Sequence, residues 1–265
     1  MIDKMGDRMK LYESIEAKRV LVPRLPIIIR ADGRAFHTFT RGMKYPIDSD
    51  LHNAMVQTMK ALVDETDACI GYVQSDEISL VLSDEKEPMF GGRPMKIASV
   101  VASLATAVFN REIHKAYPGK PLATFDCRVW NVPNRDEAAN ALLWREFDCT
   151  KNSISMAARS VVSDARLMGL NSAEKQDVLM EHGINWNDYP VFFKRGTYAR
   201  RVAFERKLTQ EELDKLPPRH NARNNPDLLV TRSEVTEVDM PVFSKVTNRV
   251  GVIFNGETPV VENDN

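Results

Sequence analysis

Cysteine is scarce: Cys69, Cys127 and Cys149 are widely separated and odd in number. That excludes a disulfide framework and a cysteine-built zinc site, and it fits a reducing compartment, the cytoplasm. No apolar run reaches the roughly 18 residues of a membrane span, so no membrane helix is expected. The opening stretch, MIDKMGDRMKLYESIEAKR, is charged throughout and lacks the apolar centre of a secretory signal. The five histidines, His37, His52, His114, His182 and His220, show no metal-ligand spacing. P-loop, dinucleotide, zincin and nucleophile-elbow motifs are all missing. So is any excess of charge: 36 Lys and Arg face 37 Asp and Glu, a net −1. A nucleic-acid partner would therefore need a local basic surface. There is no internal repeat and no low-complexity segment. What remains is ordinary globular composition, 43% hydrophobic and 28% charged, in 265 residues. That suffices for one large domain or two small ones sharing a core.

The hydrophobic pattern predicts an α+β fold. A short amphipathic helix is expected over residues 3–19. The β-branched run Ile27-Ile28-Ile29, bounded by Pro26 and Gly33, reads as a buried strand ending at Asp32. Residues 49–66 place Leu51, Met55, Met59, Leu62 and Val63 on one helical face, with Ser49 as the expected N-cap. Residues 67–74 and 77–83 form a predicted β-hairpin with Gln74 to Glu77 at its turn. A helix over 95–117 is stopped by Pro118-Gly119, and a strand over 122–132 by Pro133. The order is βαββαβ, a ferredoxin-like, palm-like unit over residues 5–133. Beyond it lies an extension, 134–265. There, helices are expected over 135–147, 151–168, 171–183 and 209–216, with a β-hairpin over 189–207 turning near Gly196.

In this topology the first and third strands are neighbours. Asp32 and the pair Asp76-Glu77, 44 residues apart, then converge on one edge of the sheet. Clustered acids repel one another and lose hydration, and a divalent cation removes both penalties. Carboxylate oxygens suit Mg²⁺. Two such ions about 3.5–4 Å apart can activate an attacking hydroxyl and stabilise a leaving group. Gly33 allows close backbone approach, and Arg34, His37, Arg41 and Lys44 follow as groups able to meet phosphate. On these grounds a nucleotide cyclase, a polymerase palm and a phosphotransferase all stay open.

Further stretches narrow the choice. RADGRAFHTF (30–39) and GYVQSDEISLVL (71–82) resemble the tRNA-His guanylyltransferase family. So do FDCRVWNVPN (125–134), LLWREFDCTKNSI (143–154) and VFFKRGTYARR (191–201), over roughly residues 5–205 in the expected order. The resemblance implies addition of nucleotides to the 5′ end of tRNA by a palm-like domain. It implies metal ligation of two Mg²⁺ ions by Asp32, the Gly33 carbonyl and Asp76, with Glu77 as a third catalytic acid. It implies nucleotide binding by Asp32, Gly33, Arg34, Ala35, Phe36, His37, Lys44, Ser75 and Asp76. ATP or GTP would activate a 5′-monophosphate. The incoming nucleotide's own 3′-hydroxyl would attack that phosphate and release AMP. A homo-oligomer, a tetramer, is implied as well.

One departure sets the subtype. Eukaryotic members carry His-Ile-Asn-Asn-Leu-Tyr after an Asp-Cys pair. Here Asp148-Cys149 precedes Thr150-Lys151-Asn152-Ser153-Ile154-Ser155. This is similar to the bacterial, archaeal and phage-type 3′-5′ polymerases, which imply template-dependent repair of tRNA 5′ ends. The alternatives are guanylate addition at position −1 of tRNA-His, and a non-catalytic RNA-binding protein. For RNA phosphates, Lys194, Arg195, Arg200 and Arg201 are the expected basic surface. Trp130, Trp144 and Trp186 are expected in the core, as are His52 and His114 in structural roles.

Overall fold

A computed structural model describes residues 4–225 and 227–262. Helix α1 is Lys4–Ala17, ending two residues before the expected 19; Asp3, the expected start, lies outside the described residues. Strand β1 (Ile27–Gly33) leads into the four-residue α2 (Phe36–Phe39) and then α3 (Ser49–Thr66). Strands β2 (Ile70–Gln74) and β3 (Glu77–Leu82) form the hairpin, followed by α4 (Pro94–Ala116) and β4 (Phe125–Asn131). Strand β1 pairs antiparallel with both β3 and β4, and β2 with β3, giving the ferredoxin-like order β4-β1-β3-β2. The predicted palm-like core is therefore observed.

The structure departs from expectation in three places, two of them in the second half. First, α5 is one helix, Arg135–Arg159, capped by the Asn134 side chain accepting from Glu137 N–H. The predicted break between 147 and 151 does not occur, because no Gly or Pro interrupts residues 135–159. Short α6 (Asp164–Leu167) and α7 (Ser172–Glu181) follow, the latter with the predicted Asn171–Glu174 capping box. Second, residues 189–207 are not a hairpin. They form α8 (Val191–Arg195) and then β5 (Thr197–Lys207), with Gly196 as the joint at φ 76°. Strand β5 adds to the edge of β2. Beyond α9 (Gln210–Lys215), it pairs over ten positions with β6 (Leu229–Val238). The sheet thus has six strands, β4-β1-β3-β2-β5-β6. Third, the N-cap of α3 is Asp48, whose carboxylate accepts from Leu51 N–H; Ser49 is the first helical residue.

The alternation of β1 divides the sheet into two faces. Ile27, Ile29 and Ala31 pack with Leu80 and Ile78 under α3 and α4, in a core that includes Met55, Met59, Leu62, Ile97 and Phe109. Ile28, Val81, Tyr72 and Tyr198 face the other way, toward Ala138 and Leu142 of α5 and toward Phe243, Val252 and Ile253. The second half of α5 carries its own cluster with Leu167, Val178, Leu179 and Trp186. Arg30 and Asp32 continue the α5-side register of β1, so the acidic strand end lies on the face that α5 crosses.

Candidate active site

Register brings the acids together. Asp32 lies opposite Glu77 on β3 and opposite Asp126 on β4, so all three side chains leave the same face of the sheet. Ser75 and Asp76 form the two-residue turn between β2 and β3, with Ser75 at φ 49°. Gly33 N–H donates to the Asp76 carbonyl at 3.0 Å, locking the end of β1 to that turn. Phe36 explains the glycine: a Cβ on Gly33 would come within 2.3 Å of the Phe36 ring. Asp32, Ser75, Asp76 and Glu77 share a cleft of about 340 Å³ with Gln74, Arg145, Asp148, Asn152, Met156 and Arg159. Burial, reinforced by the negative charges of Asp32 and Glu77, pushes the Asp76 carboxyl up to about 6.

Glu77 is held differently. Its carboxylate accepts two hydrogen bonds from Arg145, Nε to Oε1 at 2.6 Å and a second nitrogen to Oε2 at 2.7 Å. Ser79 donates to it at 3.4 Å, and Arg30 Nε lies 4.0 Å away. Arg145 also donates to Asp148 at 2.8 Å, and Asn152 to the same carboxylate oxygen at 3.2 Å. The next residue, Glu146, is buried and accepts from Tyr198 Oη and Phe243 N–H, tying α5 to β5 and the tail. In this arrangement Glu77 is neutralised inside an ion-pair network, whereas Asp32 and Asp76 have no basic partner in the cleft as close as Arg145 is to Glu77. Arg145, Asn152 and Arg159 were missed by sequence reasoning. Their recurrence two helical turns apart on one helix face was the available signal, hidden by the expected break.

The loop after β1 is built as a rigid shelf. Arg34 N–H donates to the Thr124 carbonyl, and Ala35 adopts a left-handed conformation at φ 56° before α2. Phe36 and Phe39 turn inward onto Phe109 and Phe125, with ring centroids 5.1–5.7 Å apart, so Phe36 can serve a ligand only through its backbone. Arg34, His37, Arg41 and Lys44 stay exposed. Lys120 Nζ donates to the carbonyls of Phe39 and Arg41, at 2.7 and 2.6 Å, and fixes the far end. Asp48 anchors the shelf to α3 and α4, accepting from Lys44 N–H and from Tyr117 Oη.

The basic residues of 194–201 do not form one patch. Arg200 and Arg201 leave opposite faces of β5: Arg200 donates to the Val252 carbonyl, and Arg201 pairs with Asp64 at 2.7 Å. Lys194 donates to the Asn187 carbonyl, and Arg195 lies over the Trp186 ring at 5.9 Å. Trp186 is buried as expected, with Nε1 donating to Ser153, and Trp130 is half-buried. Trp144 is not in the core. It is 53% exposed, because its position on α5 is rotated off the sheet and its ring lies on the Arg30 and Arg145 guanidiniums. His52 and His114 are structural: His52 stacks on Phe192 at 4.0 Å, and His114 Nε2 meets the Lys120 carbonyl.

A cysteine nucleophile has no place here. Burial pushes Cys149 and Cys127 up to about 12 and Cys69 up to about 11. Among the described residues no three His, Cys, Asp or Glu side chains gather as a ready-made metal cage. Two carboxylates in one cleft, with Asp76 strained by like charge, are nevertheless the donor set that Mg²⁺ takes when substrate phosphates complete its shell. The residues fit the ion. Among the described residues no helix is long and apolar enough to cross a membrane.

A family model described as tRNAHis guanylyltransferase matches residues 6–133. The tRNA(His) guanylyltransferase of Schizosaccharomyces pombe is 32% identical over 219 residues, 77% of this chain and 82% of that one. Two solved structures of a bacterial tRNA(His) guanylyltransferase-like protein superpose on the fold. The ATP complex gives a TM-score of 0.75 at 38% identity, covering 91% of this chain and 95% of that one. The GTP complex gives 0.70 at 36%, covering 92% and 95%.

Proposed function

The chain belongs to the tRNA-His guanylyltransferase family and is a nucleotidyltransferase, and from that premise we propose that it extends tRNA 5′ ends in the 3′-to-5′ direction, as a template-dependent repair enzyme. The observation that carries the reading is the bond from Gly33 N–H to the Asp76 carbonyl. It places the two metal-suited carboxylates, Asp32 and Asp76, in one cleft.

Asp32, the Gly33 carbonyl and Asp76 would hold two Mg²⁺ ions. When bound, these supply charge neutralisation at the triphosphate and a lowered barrier to hydroxyl attack. Asp76 must be ionised for that role, and the added positive charge favours the ionised form. Arg34, His37 and Lys44 lie exposed on the shelf where triphosphate oxygens would be met, and Ser75 borders the same cleft. Arg145 holds the Glu77 carboxylate in place beside Asp32, so Glu77 would shape the field at the reacting phosphate. The activated end is a 5′-adenylylated or 5′-triphosphate RNA. The incoming nucleotide's 3′-hydroxyl forms the new ester bond, and AMP or pyrophosphate leaves.

Repair is favoured over obligatory guanylate addition by the side chains after Cys149. Thr150 donates to the Lys194 carbonyl at 3.3 Å, and Ser155 accepts from Lys175 at 3.1 Å, so both face neighbouring helices. The relatives named tRNA(His) guanylyltransferases keep the second reading open. Residues 134–265 would carry the RNA; Lys194, Arg195, Arg200 and Arg201 remain basic candidates there, divided between α8 and the two faces of β5. A cytoplasmic homo-oligomer, a tetramer, completes the proposal. The test is labelled-nucleotide addition across a panel of tRNAs with defined 5′ ends. We expect truncated tRNAs of several identities to be extended to full length. Asp76→Ala should abolish addition while RNA binding survives. Addition confined to a non-templated G on tRNA-His would select the second reading; activity retained in Asp76→Ala would remove the assigned site.

A further inference from the structure

Trp144 is a large aromatic side chain left in solvent beside a buried ionic network, and neither the metal site nor the triphosphate shelf uses it. The sheet explains what it sits on. Two residues before Asp32 on the same face is Arg30, about 6.8 Å away at the rise of a strand. Arg30 is sandwiched between Trp130 and Trp144, its guanidinium carbon 5.6 and 5.3 Å from the two rings. Arg145 supports the same Trp144 ring at 4.5 Å. Two cations against one indole hold its ring in place, and the residue is still 53% exposed. Arg30 Nε is buried with no hydrogen-bond partner, 4.0 Å from Glu77.

The surroundings carry the signature of a nucleic-acid surface. Arg128 lies opposite Arg30 on β4 and is exposed, with Asp126 at 3.7 Å as its acidic neighbour. Phe147 and Lys151 continue the exposed stripe of α5 from Trp144. Exposed aromatics interleaved with basic groups bind bases by stacking and backbone by charge. A phosphate reacting at Asp32 brings its own base within reach of this stripe. Resting on the function proposed above, we propose that Trp144, seated on Arg30, is the platform on which the 5′-terminal base of the RNA substrate stacks, with Arg128 meeting the adjoining backbone. Trp144 is then a positioning residue for the acceptor end.

The experiment uses the full-length protein, Mg²⁺-ATP and a 5′-monophosphorylated tRNA lacking its first nucleotide. Loss of one base stack predicts that Trp144→Ala raises the RNA KM by about 5- to 150-fold, with the ATP KM and the melting temperature nearly unchanged. Trp144→Phe should restore most of the RNA KM. RNA should quench the fluorescence of wild type, of Trp130→Phe and of Trp186→Phe, and not of Trp144→Phe. An unchanged RNA KM in Trp144→Ala, an equal rise in the ATP KM, or quenching that persists in Trp144→Phe would overturn the platform. So would a spectral shift of Trp144 that depends on protein concentration without RNA, which would give this surface to a second copy. A wild type that extends no tRNA refutes the proposed function instead, and the quenching experiment still reads the platform.

Discussion

At the scale of single residues, Asp76 is the most informative. Burial and the charges of Asp32 and Glu77 raise its carboxyl from 3.8 to about 6. An acid whose folded value lies above its unfolded one stabilises the fold while protonated. That contribution is full below about 3.8 and is lost as pH rises through about 6. We therefore expect the melting temperature of metal-free protein to include a component that rises as pH falls from 7.5 to 5. Asp76→Asn should remove that component and raise the melting temperature at pH 7.5 by a few degrees. Added Mg²⁺ should stabilise wild type more than the variant. The comparison needs the variant, because half-buried His52, held down to about 4 by desolvation, contributes in the opposite sense. Thermal unfolding of both proteins at matched pH, with and without Mg²⁺, decides it; equal pH slopes would contradict the strained-carboxylate picture. Asp32 and Asp76 were legible in the sequence because strand order alone makes them neighbours. The neutralisation of Glu77 was not, since its partner Arg145 lies 68 residues away on a helix that looked broken.

At the scale of elements, periodicity read the β1-to-β4 unit to within a few residues, because each strand is a short apolar run bounded by turn residues. It misread 189–207, where Gly196 looked like a hairpin turn. Its backbone, φ 76° and ψ −169°, is a region open essentially to glycine. A Cβ there would lie 2.5 Å from the Val73 carbonyl, with Tyr72 as close on the other side. Gly196 thus lets α8 end directly against β2, and β5 begin in register with it. We expect Gly196→Ala to destabilise the protein by about 2–4 kcal/mol, from the disfavoured backbone and a clash that no rotamer relieves. Denaturant unfolding measures it. Amide exchange should show the loss concentrated where β5 meets β2, over Gly71 to Val73; a uniform loss, or a change under about 0.5 kcal/mol, would disprove the joint.

At the scale of the whole molecule, two successive residues of α5 tie the palm to β5 and the tail, Arg145 through an ion pair and Glu146 through hydrogen bonds. Glu77 belongs to β3, Arg145 and Glu146 to α5, Tyr198 to β5 and Phe243 to the tail. The side chains of Glu77 and Arg145 are only 9% and 11% exposed, so removing one leaves the other charged without its partner in a low-dielectric interior. Breaking such a pair costs about 3–5 kcal/mol, whereas replacing both partners together is far milder. We expect Arg145→Met to lose stability in that range, and Glu77→Gln with Arg145→Met to recover part of it. Denaturant unfolding of the two single variants and the double variant supplies the coupling energy. The same proteins decide what Glu77 does in catalysis. If Glu77 acts through the field it holds beside Asp32, Glu77→Gln lowers nucleotide addition but leaves Mg²⁺-induced stabilisation intact. If Glu77 leaves Arg145 to bind an ion, Glu77→Gln abolishes that stabilisation as fully as Asp76→Asn does, and the pair seen here is a resting arrangement. The bidentate geometry favours the first outcome, because releasing Glu77 would strand Arg145 between Trp144 and Asp148 with two of its three hydrogen bonds unmade.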